Sequence, residues 1–337
     1  MQLENIFLSI LVKTGIVVSV ALLLFIFISY RVFVIRGLES NTVKYSNSDQ
    51  TTRLASNLYT HVKVLSEDIG ERHHEIPEAI NKSIEYITNE MQGAGYDPVF
   101  DKFGDQNYCN IISEITGKDK QDEIIIIGAH YDTVWLSPGA DDNASGIAAL
   151  IEIAKNLSMD NFSRTVRFIA FANEEQPFSE TDMMGSRIYT KLTKQKGENI
   201  IAMFSLEMLG FYSSEPGSQK YPPVIRPFYP DTGNFIAFVT NLNSRSLLKK
   251  AINNYHDANF AAQGLAVPES IVPDIRRSDH ASFWDSGYQA VMITDTANFR
   301  NPNYHSVGDT IETLDFERMA SVVSGLTVMI RELANTN

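Results

Sequence analysis

The chain has a single cysteine, Cys109, among 337 residues, so no internal disulfide can staple its fold. Its setting, YCNIISEI, marks that thiol as a buried strand residue and not a nucleophile. Basic residues are also short. Lys and Arg number 28 against 41 Asp and Glu, a net charge of −13 with no compensating basic stripe, which excludes nucleic acid as a partner. There is no internal repeat and no low-complexity run. What is present is a 44% hydrophobic chain, long enough to bury a large core. It reads as one domain of roughly 280 residues behind an amino-terminal anchor.

The anchor is residues 14–30, TGIVVSVALLLFIFISY, a charge-free run that would span roughly 25 Å as a helix. Lys13 and Arg31 flank it and can snorkel, and residues 32–35 extend its apolar length. No small-x-small cleavage site follows and no lipobox cysteine exists, so an uncleaved single-pass helix is expected rather than a signal peptide. The boundaries this sets are 1–38 for the transmembrane anchor, 39–54 for a polar linker and 55–337 for the catalytic domain. Arg31, Arg36 and Lys44 outnumber Lys13, which by charge alone keeps the domain in the cytoplasm, although long domains translocate regardless of flanking charge.

Along the domain, apolar runs end in carboxylates or imidazole. Residues 123–128, EIIIIG, form a β-branched run suited to a buried parallel strand, and His130 and Asp132 sit just past its end. The loop GADDNASG (139–146) precedes a helical pattern over 147–157, placing Ser145 and Gly146 at a helix start whose dipole favours anions. Strand 165–172 runs into Glu174 and Glu175, and strand 200–206 into Glu207. His305 follows in NYHSVGDT. Three strand ends and a loop therefore converge on one edge of an open α/β sheet, where such folds place their sites. Further elements are a helix over 76–95, hairpin strands over 98–103 and 110–115 at a sheet edge, and strands over 235–240 and 290–294. Residues 210–234, rich in Pro and Tyr, read as a loop walling the site.

Zinc takes His nitrogen and carboxylate oxygen and keeps a position for water, and two zinc ions can share one carboxylate. Asp142 is assigned as the bridge, His130 and Glu207 complete one metal, and Glu175 and His305 complete the other. Glu174 stays free as general base, and Asp132 accepts the second N–H of His130 to fix its tautomer. One acidic residue after a strand is commonly a solvated cap; the conjunction of all these groups is what specifies a metal site. The pair His73–His74 with Glu75 also looks metal-like, but its spacing is wrong for two ligands on one helix face.

The motifs HYD at 130, PGADDNASG at 138, NEE at 173, SLEM at 205, RSDHASFWDSGY at 277 and YHSVGDTIETLDF at 304 resemble the zinc exopeptidases of metallopeptidase family twenty-eight, which include bacterial leucyl aminopeptidases, glutamate carboxypeptidases and glutaminyl cyclases. The resemblance covers residues 55–335. It implies a three-layer α/β/α fold with a mixed, mostly parallel central sheet, two zinc ions per chain, peptide substrates and the same ligand roles at His130, Asp142, Glu174, Glu175, Glu207 and His305. It also implies a domain outside the cytoplasmic membrane, and a place near the site for His280. Two positions depart from the family pattern. Glu207 stands where many members have Asp, and Ile275 stands where some aminopeptidases have an oxyanion-stabilising Tyr, leaving Arg276 or Arg277 to supply positive charge. A membrane-anchored aminopeptidase is expected, with cleavage of amino-terminal residues. A glutaminyl-peptide cyclotransferase and a carboxypeptidase using Arg276, Arg277 or Arg300 are the enzymatic alternatives, and a metal-free receptor-like scaffold is the non-enzymatic one.

Overall fold

The computed structural model describes residues 7, 10, 12–21, 30, 31, 33–37, 49–104, 108–255 and 260–336. The elements in chain order are β1 (Val34–Arg36), α1 (Asp49–Lys63), α2 (Pro77–Gly93), β2 (Val99–Phe103), β3 (Tyr108–Ile115), β4 (Lys120–His130), α3 (Gly146–Leu157), β5 (Arg164–Phe171), α4 (Gly185–Lys196), β6 (Asn199–Glu207), β7 (Ile236–Thr240), α5 (Arg245–Asn254), β8 (Ala262–Ala266), α6 (His280–Asp285), β9 (Ala290–Thr294) and α7 (Phe316–Asn335). The strands form one sheet in the order β1-β8-β7-β9-β6-β4-β5-β3-β2. Four pairings are parallel and four antiparallel, so the sheet is mixed, with its uninterrupted parallel block at β9-β6-β4-β5. The expected excess of parallel pairs is absent because the hairpin β2–β3, the reversed β7 and the short β1 all pair antiparallel.

Burial explains the sequence pattern of the parallel block. Ile124 to Ile127 in β4 are each 6% exposed or less, because helices cover both faces of the sheet and no position in the run alternates outward. One face packs on α1, α2, α3, α5 and α7 through residues such as Leu58, Ile87, Ile151, Leu248 and Leu326. The other packs on α4 and α6 through Tyr189, Phe283 and Trp284. Helix α3 is buried nearly throughout, with Lys155 and Asn156 at its more exposed end, whereas α2 begins with Pro at its first turn and α7 with an Asp315 carboxylate capping the Arg318 amide. Cys109 is buried in β3.

The amino-terminal region differs from expectation in one respect that matters for function. Val34 to Arg36, read as the tail of the anchor, form an edge strand paired with Leu265, Gly264 and Gln263 of β8. β8 would otherwise present an open row of backbone donors and acceptors, and β1 satisfies them. The Tyr30 ring also meets Phe228, 5.7 Å between centroids. The end of the expected linker is helical, since α1 starts at Asp49. Of the expected transmembrane span, residues 22–29 lie outside the described residues, as does most of the linker; among the described residues no helix is long and apolar enough to cross a membrane.

Candidate active site

The carboxyl ends of β4, β6 and β5, adjacent in the sheet, bring His130, Glu207 and the turn Asn173–Glu175 together. Asp142 comes from the loop before α3 and His305 from the segment after β9. Asp142 lies between the two imidazoles, with Oδ1 3.3 Å from His130 Nε2 and Oδ2 3.1 Å from His305 Nε2. Glu207 Oε2 is 3.4 Å from His130 Nε2, and Glu175 Oε1 is 3.3 Å from His305 Nε2. Among the described residues three donor groups result, His130–Asp142–Glu207, Asp142–Glu175–His305 and His130–Glu174–Glu175; the donor atoms of each lie within 4.8 Å of one another, and the first two share Asp142. Glu174 faces the same space with Oε2 3.9 Å from His130 Nε2.

The electrostatics reflect crowded acids in a dry setting. Burial and then the neighbouring carboxylates hold Glu174 well above its usual range, and burial with the Asp142 charge lifts Glu175 to about 7. Burial opposes protonation of His130 and His305. The surrounding carboxylates outweigh it, raising His130 strongly and His305 to about 10. Two buried atoms, His130 Nε2 and Glu175 Oε1, have no hydrogen-bond partner.

The loop GADDNASG is a stitch as well as a ligand carrier. Asn143 accepts the amides of Gly146 and Met208 and donates to the Leu206 carbonyl, and Ser145 Oγ accepts the Leu209 amide, so the loop is tied to the end of β6. Ser145 and Gly146 are thus fully engaged with the backbone and do not form the anion site expected at the start of α3. Gly139 has φ 61°, and a Cβ there would stand 2.4 Å from the Asp142 carbonyl oxygen, so this turn requires glycine. Asp309, in the motif that carries His305, accepts the amides of Asp141 and Asp142 at 2.9 and 3.0 Å.

Asp132 acts differently from its expected part. His130 Nδ1 donates to the Asp132 main-chain carbonyl at 3.1 Å, while the carboxylate stands 3.6 Å away and accepts the amides of Glu174 and Glu175 at 3.1 and 3.0 Å. The side chain sits at the strand end beside the NEE turn, where two unpaired N–H groups point at it, and these take its lone pairs.

A cavity of about 110 Å³ opens beside the cluster, reached by Asp142, Glu174, Glu175, Glu207 and His305. Its wall on the β7–β9 side is largely apolar, with Phe235, Val239, Leu265, Ile275 and Met292. Tyr221, Ile225 and Tyr229 of the loop 210–234 close it, as expected of a wall. Arg277 reaches the cavity but is paired with Asp274 at 2.7 Å. Arg276 is held by Glu269 and Asp285 away from the lining. His280 is fully buried, bonded to the Ile275 carbonyl and packed edge-on against Trp284, so it supports the Ile275 wall and does not reach the cavity. Arg300 is buried, donating to Gln219 over the Phe235 ring.

Sequence reasoning missed three residues. Tyr304 stacks on His305 at 3.7 Å and lines the cavity, and burial with the nearby carboxylates keeps its phenol protonated. Ser278 donates to Glu207 Oε2 at 2.7 Å. Asp279 is buried with neither carboxylate oxygen bonded, and burial raises it to about 7. Tyr304 stands beside His305, and Ser278 and Asp279 lie inside the RSDHASFWDSGY motif, but nothing in residue order shows which way they point.

The comparisons with known proteins give the family and the fold. The model of Peptidase family M28 matches residues 110–328, and the chain belongs to that family. It is 35% identical over 284 residues to uncharacterized protein YfbL of Escherichia coli, covering 80% of this chain and 85% of that one. Among solved structures it is similar to BSAP, a zinc aminopeptidase from Bacillus subtilis (TM-score 0.64, 17% identity, 84% of this chain and 95% of that one). It is similar also to a glutaminyl cyclase from Fimbriiglobus ruber (TM-score 0.61, 17% identity, 86% and 97%). At such identities the likeness establishes the fold, a mixed α/β architecture, and the activity of this peptidase has to be argued from the site.

Proposed function

We propose that the protein is a di-zinc aminopeptidase removing apolar amino-terminal residues from peptides. The observation that carries the two-metal reading is Asp142, which offers one oxygen to each imidazole-containing group. A tetrahedral zinc with bonds of 2.0–2.1 Å sets its donors about 3.4 Å apart. The donor distances of 3.1 to 3.4 Å fit that spacing, and the orphaned His130 Nε2 and Glu175 Oε1 fit as ligand atoms. His130, Glu207 and Asp142 would hold one ion, and His305, Glu175 and Asp142 the other. Bound there, the ions supply polarisation of the scissile carbonyl and activation of water.

The chain's own groups do the rest. Glu174, whose Oε2 stands 3.9 Å from His130 Nε2 and which is in neither of the two groups that share Asp142, takes the proton from the attacking water and returns it to the leaving amine. Ser278 orients the Glu207 carboxylate, and the Asp132 carboxylate fixes the amides of the NEE turn so that base and ligand keep their separation. Tyr304, protonated and beside His305, is placed to donate to the developing oxyanion in place of the Tyr that Ile275 replaces.

Aminopeptidase is favoured over the alternatives by the cavity. The acidic groups of the cluster, which line it, suit a free ammonium group. Its mostly apolar lining suits an aliphatic or aromatic side chain, although Gln263, Thr294 and Asn298 also line it, so the glutaminyl peptide is the comparison that decides between the two readings. A carboxypeptidase needs a free cation for the substrate carboxylate. Arg276, Arg277 and Arg300 are all engaged, which leaves Lys220, exposed on the cavity lining, as the cation such an enzyme would have to use; cleavage of the amino-blocked peptide at its carboxyl end would establish that reading. The deciding experiment incubates the purified chain with leucinamide, an amino-terminal glutaminyl peptide and an amino-blocked peptide while metal content is measured. Release of leucine with close to two zinc equivalents is expected, lost to a chelator. Cyclised product with one equivalent would establish the cyclase, and no bound metal would establish the scaffold.

The amino-terminal run is proposed as a single-pass anchor holding the domain outside the cytoplasmic membrane. Its support is the charge-free length between Lys13 and Arg31. Full-length chain should stay with membranes through alkaline washing and be digested by protease added outside spheroplasts. Protection until lysis would put the domain in the cytoplasm.

A further inference from the structure

Beside the metal cluster, on the side away from the apolar cavity, four side chains form a ledge. The His74 ring lies 5.4 Å from Trp135 and 5.2 Å from Phe178, and Phe178 in turn rests 5.4 Å from Tyr108 of β3. Leu136 adjoins Trp135. Trp135 is 41% exposed and Leu136 71% exposed, unusual for large apolar residues in a loop tied down by specific bonds.

The loop is held, not loose. Arg72, fully buried, donates to the carbonyls of Tyr131, Pro138 and Gly139 and so closes the loop at both ends. Trp135 Nε1 donates to Glu75 Oε2 at 3.1 Å, and the Leu136 amide to Glu71 Oε1 at 2.5 Å. Leu136 has φ 62°, a conformation that a branched side chain rarely adopts. His73, which with His74 resembled a metal pair, has Nε2 on Glu71 and Nδ1 accepting from the Glu75 amide, and among the described residues neither histidine belongs to a group able to hold a metal. The pair is a pedestal for the ledge.

The sheet order says what the ledge faces. The cluster stands on β6, β4 and β5, the apolar cavity lies toward β9, β7 and β8, and the ledge lies toward β3. The Phe178 amide bonds the Glu175 carbonyl at 2.9 Å, a turn that keeps the two Cα atoms within about 7 Å. A peptide whose first side chain fills the cavity, and whose first peptide bond lies at the cluster, meets the ledge if it continues across the β5–β3 side, opposite the cavity. One further residue of extended chain advances about 3.4 Å, comparable with the roughly 4.8 Å between neighbouring strands.

We propose that the ledge of His74, Trp135, Leu136 and Phe178 is the subsite for the residue following the cleaved bond, and that it selects a large apolar or aromatic side chain at the second position of the substrate. The assignment rests on the aminopeptidase reading above. The test compares kcat/KM of the full chain for leucyl-phenylalanyl-glycine and leucyl-glycyl-glycine. The parent should favour the former roughly tenfold, the ratio expected when about 55 Å² of apolar surface leaves water. Trp135→Ala removes the ring, and Leu136→Gly removes the side chain while accepting the positive φ, so the second variant retains the loop even where the first disturbs it. Each should bring the ratio below about threefold. A parent ratio near one, or an undiminished ratio in both variants, overturns the ledge and leaves the aminopeptidase reading intact. If neither tripeptide is cut, the aminopeptidase reading itself falls and takes the ledge with it.

Discussion

Replacing Asp132 by Asn would show how much of this site is held by one buried carboxylate. Asp132 is 4% exposed and its two oxygens accept the amides of Glu174 and Glu175. Asparagine keeps the volume but turns one oxygen into a donor facing an N–H. The loss is one charge-assisted hydrogen bond, about 2 kcal/mol, plus about 2 kcal/mol for the amide stranded without a partner, roughly 4 kcal/mol together. At about 2 °C per kcal/mol for a domain of this size, Tm should fall by about 8 °C. The turn that loosens carries both the base and a ligand, so an ångström-scale displacement of Glu174 should lower kcat on leucinamide roughly 10²-fold. Thermal melts and steady-state kinetics on parent and variant measure both numbers. A variant melting within a degree of the parent, with kcat intact, would show that the two amides do not depend on Asp132 and would refute this account of the turn.

Glu174→Gln should retain zinc while losing hydrolysis by roughly 10² or more, whereas Glu175→Gln should bind metal more weakly; metal analysis with the reverse pattern would exchange the two roles. A chain starting at Tyr30 keeps β1 and should be soluble and active, while one starting at residue 41 uncovers the β8 edge and should melt lower and aggregate; equal melts would make β1 dispensable. Burial lowers the pKa of His280 to about 4, so in the folded protein it stays neutral while the unfolded chain takes up a proton below about 6.5. Stability should therefore drop by about 2 kcal/mol more between pH 7 and pH 5 in the parent than in His280→Asn, measured by urea unfolding, and an identical drop in both would contradict that depressed pKa.

The strands of the parallel block and the groups at their ends were legible in the sequence because both are local. A β-branched run such as IIII in β4 suits a strand buried on both faces, and a ligand at its carboxyl end or in the turn that follows faces the sheet's edge. His130, Glu174, Glu175 and Glu207 could be named for that reason. β8 could not be read, because AQGLA has no strand signature of its own. Its Gly264 fits beneath Ile252 of α5, where a Cβ would stand 2.4 Å from the Ile252 Cδ1, and its pairing comes from β7 and β1. β1 was hidden inside an apolar run whose length pointed to a membrane.

Tertiary structure alone decided the directions of side chains. It sent the Asp132 carboxylate to the NEE amides and left His130 with a main-chain carbonyl, tied Arg276 to surface acids, buried His280 under the cavity wall and brought Tyr304 against His305. Each outcome depends on which polar partner lies nearest across long sequence separations. Composition and spacing along the chain determine which residue types are available to the site; only packing determines which of them meet.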